Sequence, residues 1–209
     1  MKGCRLGPGQ ELTLFSGSRR EEGGIVKNGD AATVFKAIRE RRSVRAYLDR
    51  EVPKELILKI LEAGHWAPTG YNVQAARFFV LQEDKKLLES FKAFAWGLPK
   101  ETPCAIVISN DERFALINRK DPARSEVVAA ENLAMVAQNM MLMAHSLGLG
   151  TCVVGSYSPK GIEELLDSPE HLKSVLILGV GYPRGEIADV PRKQALDAIT
   201  TWEAYSKEE

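Results

Sequence analysis

A chain of 209 residues, 44% hydrophobic and 27% charged, has the composition of an ordinary globular protein, and its length suits one domain better than two. Its 28 basic residues balance 28 acidic ones, so the formal net charge is zero and no general nucleic-acid footprint is expected. Three widely spaced cysteines, Cys4, Cys104 and Cys152, argue against a disulfide framework, and His65, His145 and His171 lack partners at metal-ligand spacing.

Residues 1–30 hold seven of the 17 glycines without sustained periodicity and read as an N-terminal arm; residues 31–209 read as a single domain. MKGCRLGPGQELTLF lacks the apolar stretch of a signal peptide, and no apolar run approaches the ~18 residues of a membrane helix. No membrane association is therefore expected, and the expected compartment is the cytoplasm. Order should begin near Asp30–Thr33, where polar residues precede VFKAIRERR. There Val34, Ala37, Ile38 and Arg41 recur at helical spacing. Pro53 announces a second helix carrying Leu56, Ile57, Ile60, Leu61 and Gly64 on one face, and Pro68, Gly70 and Asn72 break it.

Arg77–Gln82 reads as a strand, a helix follows from about Asp84, and Cys104–Ser109 reads as a buried strand. The most strongly marked helix runs from about Ser125 to Leu147, with Gly148 as its stop. Leu133, Met135, Val136, Met140, Met141, Leu142 and Met143 make it apolar nearly all round, which requires burial on most sides or a partner subunit. Thr151–Val154 is the next strand, Gly161–Leu166 a short helix, and Ser174–Val180 the last buried strand. From Tyr182 onward the chain is charged and lacks a core pattern. Alternating strands and helices indicate an α/β or α+β sandwich around one main sheet.

Four constellations carry chemical potential. Arg39, Arg41, Arg42 and Arg45, with Ser43 among them, suit a phosphate, because guanidinium forks make bidentate bonds to it; compensation of a helix dipole is the alternative. In Ala67-Pro68-Thr69-Gly70-Tyr71-Asn72-Val73-Gln74, the amides of Asn72 and Gln74 alternate, so extended backbone would turn both to one side. They suit a heteroaromatic edge, and a solvated turn is the alternative. Gly155, at the end of a buried strand beside Val154 and Ser156, permits close approach of a ligand to the backbone. Arg192 and Lys193 form a basic pair that is either solvated or a second phosphate clamp. Neither G-L-G-T-C-V-V-G nor G-V-G-Y-P-R-G has dinucleotide-fingerprint spacing, and neither a nucleophile elbow nor a Walker loop is present. With no protein nucleophile or metal site, any activity would rest on an organic cofactor.

RRSVRAY, A-P-T-G-x-N-x-Q, A-x-x-x-A-Q-N-x-x-L-x-A, G-L-G-T-C-x-x-G, and L-G-x-G-Y-P followed by P-R together resemble the nitroreductase family of flavoproteins, from about Val34 to Arg192. The resemblance implies an α+β fold: a three-layer α/β/α sandwich with a central mixed, mainly antiparallel sheet, a long interface helix, and a C-terminal extension onto a partner subunit. It implies FMN as cofactor, NAD(P)H as reductant, and a homodimer. Arg41, Arg42, Ser43 and Arg45, with Arg192, would hold the FMN phosphate and ribityl chain. Asn72 and Gln74 would lie by the flavin ring, and Val154, Gly155 and Ser156 would face its pyrimidine side, with one N–H directed at N5. Pro68, Thr69, Gly70 and Tyr71 would reach the flavin of the opposite subunit. No side chain is expected to be catalytic in itself, since the flavin carries the chemistry. The implied reaction is ping-pong reduction of nitroaromatics, quinones or similar acceptors. Reductive dehalogenation, flavin fragmentation, or flavin binding without turnover are the alternatives. Departures from the family pattern are Ala75-Ala76 in place of Pro-Trp, Asn132 in place of Asp, and a short segment between Leu87 and Pro103 where the family varies its lid.

Overall fold

A computed structural model describes residues 28–114 and 122–202. Its elements in chain order are α1 (Asn28–Glu40), α2 (Lys54–His65), β1 (Ala76–Leu81), α3 (Lys85–Phe94), β2 (Cys104–Asp111), α4 (Pro122–Ser146), β3 (Gly150–Val154), α5 (Pro159–Leu165) and β4 (Leu172–Gly181), with short 3-10 turns at Gly70–Asn72 and Asp197–Ile199. The expected N-terminal arm, with Cys4, lies outside the described residues up to position 27, and α1 begins two residues before the expected start. Local chemistry explains the other boundaries. Asp84 caps α3 by accepting from the N–H groups of Lys86 and Leu87. Ser158 caps α5 ahead of Pro159. Gly148 ends the chain's turn out of α4 at φ 76°, a left-handed conformation that costs glycine little.

The strands form one antiparallel sheet in the order β1-β2-β4-β3. The sheet implied by the resemblance, mixed and mainly antiparallel, is antiparallel among the named strands, and among the described residues its parallel pairing is the bridge between Ser43 and Thr151. Strand β2 is buried along its whole length because helices cover both faces of the sheet. Its side chains alternate between them. Cys104, Ile106 and Ile108 join the layer of α2 and α4 with Ile60, Leu133, Val136 and Met140. Ala105 and Val107 join that of α3 and α5 with Leu88, Phe91 and Ile162. Gly64 lets α2 approach α4, since a Cβ there would lie 2.7 Å from Met140 Cγ. The result is the expected three-layer sandwich.

One side of α4 stays uncovered. By length and composition it is long and apolar enough to cross a membrane, in contrast to the expectation of no such segment. Here Leu133, Val136, Ala137, Met140 and Ala144 are buried in the core, which accounts for much of that apolar character. Met135 and Val127 on other faces are 37% and 46% exposed, and most of α1 is exposed as well, including Val34, Phe35 and Ile38. The burial on most sides expected for α4 is therefore not reached within one chain.

The segment that carries the arginines, residues 41–48, is strung between β3 and the residues after β4. Val44 N–H donates to Thr151 O at 2.8 Å, Leu48 N–H to Tyr182 O at 2.9 Å, and Arg184 N–H to Ala46 O at 2.9 Å. Tyr47 is fully buried, and its hydroxyl donates to Val44 O at 2.7 Å, with Gly179 O 3.3 Å away. Three glycines make this seat. A Cβ at Gly150 would lie 2.5 Å from Val44 Cγ2, one at Gly181 2.8 Å from Tyr47 Cδ1, and one at Gly179 3.4 Å from the Tyr47 oxygen. Gly150 in G-L-G-T and Gly179 and Gly181 in G-V-G-Y-P therefore admit side chains rather than a nucleotide.

At the opposite edge the start of β1 is held by Asp111, which is fully buried. Its carboxylate accepts from Arg113 Nη2 at 2.9 Å and Nε at 3.0 Å and pairs with Arg77 Nη2 at 3.1 Å. Its N–H donates to Ala75 O. The hydrogen bonds from Arg113, with the charge of Arg77, outweigh desolvation and hold the carboxyl at about 2, below its ordinary 3.8.

Two outcomes are expected. Gly150→Ala overpacks the seat against Val44 and should lower stability by about 1–3 kcal/mol, whereas Gly155→Ala, which meets nothing within 4 Å, should be near neutral; denaturant melts of both compare them. The Asp111 contribution is fully present above about pH 4 and disappears as pH falls through the folded value near 2, because the unfolded chain binds the proton first. Asp111→Asn should lower the thermal midpoint at neutral pH and flatten its decline between pH 4 and 2. Parallel declines for the two proteins would remove Asp111 as the cause.

Candidate functional site

Because residues 41–48 leave α1 and are pinned between β3 and the segment after β4, the side chains that alternate away from Val44 and Tyr47 are presented together. Arg41, Arg42, Ser43 and Arg45 line one cavity of about 1050 Å³, and the tail residues 183–192 close it, bringing Arg192 to the same space. Five of the predicted site residues, separated by up to 151 positions, thus meet. Arg39 and Arg184 add two further guanidinium groups, and Glu186 and Asp189 oppose them. The part played by Tyr47, Arg184 and Asp189 was not anticipated, although Tyr47 and Arg184 stand inside quoted motifs. Nothing in the sequence pairs Asp189 with Arg42, 147 positions away.

The donor set suits an oxyanion. Arg42 is anchored by Asp189 through Nη2 and by Arg41 O through Nη1 at 2.9 Å. Its Nε and that of Arg41 are buried without a hydrogen-bond partner. Buried donors left unpaired are costly, and these two belong to residues that line the cavity. Ser43, Arg45 and Arg192 make no side-chain hydrogen bond or ion pair among the described residues. Helix-dipole compensation accounts for Arg39 in the last turn of α1. It does not account for Arg45 or Arg192, which lie beyond it. Cys152 lies near Arg45, but burial raises its thiol pKa despite that charge, and burial likewise pushes Cys104 up to about 12. Both are unreactive small apolar groups.

The predicted residues of β3 continue from this cavity. Ser43 bridges Thr151 near the start of β3, and Gly155 follows four residues later, about 13 Å along at strand rise. Val154 packs inward at 2% exposure, so it contributes backbone only, whereas Gly155 and Ser156 are exposed and Gly155 borders open space.

The loop Pro68–Gln74 lies elsewhere. It is not extended: Tyr71, Asn72 and Gln74 take φ of 52°, 55° and 49°, so the alternation expected of Asn72 and Gln74 does not apply. Three left-handed residues within four positions are strained, and the surroundings hold them. Asn132, the departure noted in α4, accepts from Gly70 N–H at 3.0 Å. Thr69 Oγ1 accepts from Gln74 N–H at 3.2 Å, and Gln74 Nε2 donates to Asn72 O. Tyr71 is 92% exposed. The loop feeds β1 at Ala76, which pairs with Asn110 and through it with Lys173, while the cradle is at Gly150, which pairs with Gly181. Lys173 and Gly181 are about 26 Å apart along β4, so loop and cradle occupy diagonal corners of the sheet. Pro68, Thr69, Gly70, Asn72 and Gln74 do not line the arginine cavity of their own chain.

Comparisons with known proteins agree with this architecture. The model of the Nitroreductase family matches residues 38–103 and 90–182. A protein of Methanothermobacter thermautotrophicus named as an NADH dehydrogenase/NAD(P)H nitroreductase is 34% identical over 155 residues, covering 72% of this chain and 77% of the relative. The FMN reductase [NAD(P)H] of Bacillus subtilis is 28% identical over 186 residues, covering 82% and 74% of the two chains. The crystal structure of a nitroreductase in complex with FMN from Desulfovibrio desulfuricans superposes with a TM-score of 0.68 at 28% identity, covering 83% of this chain and 98% of the other. With most of its length matched in sequence and in fold, this chain belongs to the nitroreductase family.

Proposed function

We propose that the protein is an FMN-dependent oxidoreductase that takes electrons from NAD(P)H and reduces electron-poor acceptors such as nitroaromatics or quinones, as a cytoplasmic homodimer with a flavin held between its subunits. The observation that carries the flavin reading is the cavity lined by six arginines, among which Arg45 and Arg192 have no side-chain partner among the described residues, joined by β3 to the open backbone at Gly155. A ligand with a phosphate at one end and a hydrogen-bonding ring at the other fits that layout. The FMN-containing relative and the reductases named for NAD(P)H support the same choice.

When bound, FMN supplies the two-electron chemistry, alternately loaded by NAD(P)H and discharged to the acceptor in a ping-pong cycle. The chain's own part is binding and orientation. Arg41, Arg42, Ser43, Arg45 and Arg192 clamp the phosphate end, and Asp189 must share Arg42 with it. The backbone N–H groups at Gly155 and Ser156 face the ring edge, where a donor stabilises added negative charge.

The dimer reading rests on the diagonal separation of loop and cradle. Pro68–Gln74 cannot complete its own cavity, but it can complete a partner's if two subunits pack antiparallel. The apolar surface for such packing is present: α1, α2 and α4 leave a groove of about 420 Å³ lined by Val34, Ala37, Trp66, Leu142 and Met143.

Purified protein reconstituted with FMN should be yellow, and anaerobic mixing with NADH or NADPH should bleach it. Arg45→Ala should raise the FMN dissociation constant by about 10- to 100-fold, the range of a lost charge-assisted bond, while the protein stays folded. Unchanged affinity would return the arginines to a helix-dipole role, and a flavin that neither nucleotide bleaches would leave a binding protein without turnover. Sedimentation at micromolar concentration should give a dimer; a stable monomer would sink the shared site.

A further inference from the structure

Trp96 is an exposed aromatic residue that lines neither the arginine cavity nor the apolar groove. Ala95 and Leu98, buried at 0% and 7% exposure, are the ends of a turn closed by the Leu98 N–H donating to Ala95 O at 2.8 Å, and Trp96 and Gly97 are its two central residues. The turn is locked onto the end of β3 from both sides. Gly97 N–H donates to Ser156 O at 3.0 Å, and Ser158 N–H donates to Phe94 O at 2.8 Å. The approach is so close that a Cβ at Gly97 would lie 2.9 Å from Val154 Cγ1 and 3.2 Å from Ser156 Cβ, and one at Gly161 would lie 2.3 Å from the Phe94 ring. Trp96 is nevertheless 64% exposed, and its neighbour Gly97 packs against Val154 and Ser156, the residues on either side of Gly155, where a Cβ would meet nothing within 4 Å. Trp66, the other exposed indole near the core, differs in kind: it lines the apolar groove among Val34, Ala37 and Leu142.

We infer that Trp96 is a specificity-determining residue whose indole forms one wall of the acceptor site and selects planar aromatic acceptors. The inference rests on the proposed flavin site, since it takes the ring to lie against Gly155 and Ser156. A turn fixed by two backbone hydrogen bonds and two buried ends loses little further freedom when a ligand arrives, so the wall is preorganised. An indole face favours offset stacking with another flat ring and offers nothing comparable to a compact inorganic ion. The acceptor's reduction needs no group from Trp96, which contributes contact alone.

The test uses full-length protein loaded with FMN. Menadione serves as planar acceptor, and its equilibrium binding to the oxidised protein, which cannot reduce it, is followed by perturbation of the flavin absorbance. Ferricyanide serves as the compact acceptor. Trp96→Ala should raise the menadione dissociation constant and KM by about three- to tenfold, the range of one aromatic stacking contact. Its FMN affinity and its kcat/KM with ferricyanide should stay within twofold of the parent, and Trp96→Phe should recover most of the menadione loss. Menadione binding within twofold of the parent overturns the inference, as does an equal loss for ferricyanide, which would assign Trp96 to the folding of the turn. If the parent retains FMN, either result leaves the flavin reading standing. A parent that does not retain FMN overturns that reading and this inference with it.

Discussion

The architecture of the site depends on the seating of Tyr47 and Val44 against β3 and β4. Tyr47 has no exposure at all and its ring lies against Gly181, while Val44 lies against Gly150, so that a side chain at either glycine would take the room these two residues fill. The Tyr47 hydroxyl is held by Val44 O inside the same segment, and burial raises its pKa well above the ordinary value, so it stays a neutral donor. Once the segment is seated, its backbone bonds to Thr151, Tyr182 and Arg184 leave it little freedom. The arginines on its other side become fixed charges at the rim of a cavity rather than a mobile basic tail.

That fixation has an electrostatic consequence. Six arginines line the space, opposed by Glu186 and Asp189, so the cavity retains an excess of positive charge in a chain whose overall charge is zero. Preorganised cations of this kind bind an anion without first being ordered, and the cost of holding them together falls on the fold. Asp189 relieves part of it by pairing with Arg42, yet it remains 88% exposed and is screened by solvent, so the pairing is weak enough to yield to a ligand.

The second constraint is the loop Pro68–Gln74, where three non-glycine residues sit in the left-handed region. Such strain persists only when it is over-determined, and here Asn132, Thr69 and the Asp111 cluster determine it. Rigidity is bought at the corner of the sheet farthest from the cradle. A rigid polar loop with no use for its own cavity, preceded by exposed Trp66 and carrying exposed Tyr71, has a reason to exist if it serves a neighbouring subunit. The proposed dimer would also cover the open side of α4, whose apolar residues outnumber those one core can bury.

Much of the fold was legible in the sequence because it is local. Helix periods, the helix start at Asp84, the stop at Gly148, and the branched strands around Ile106 and Ile177 each depend on neighbours a few residues away, and their boundaries fell within a few positions. The cradle arginines were legible as a cluster for the same reason. Three things were decided only by the tertiary structure. Gly150, Gly179 and Gly181 near β3 and β4 turned out to leave space for Val44 and Tyr47, a relation between residues up to 134 positions apart. Asp189 and Arg184 joined Arg192 at the cavity because the chain leaving β4 folds back across it. Asn72 and Gln74, which alternate on paper, took left-handed backbone because Asn132 and Asp111 hold the loop in a turn. The sequence by itself determined which groups were available to bind an anion and which segments would be strand or helix. Which of those groups share one space was settled by strand order and register, since pairing across a sheet brings together residues that no periodicity along the chain connects.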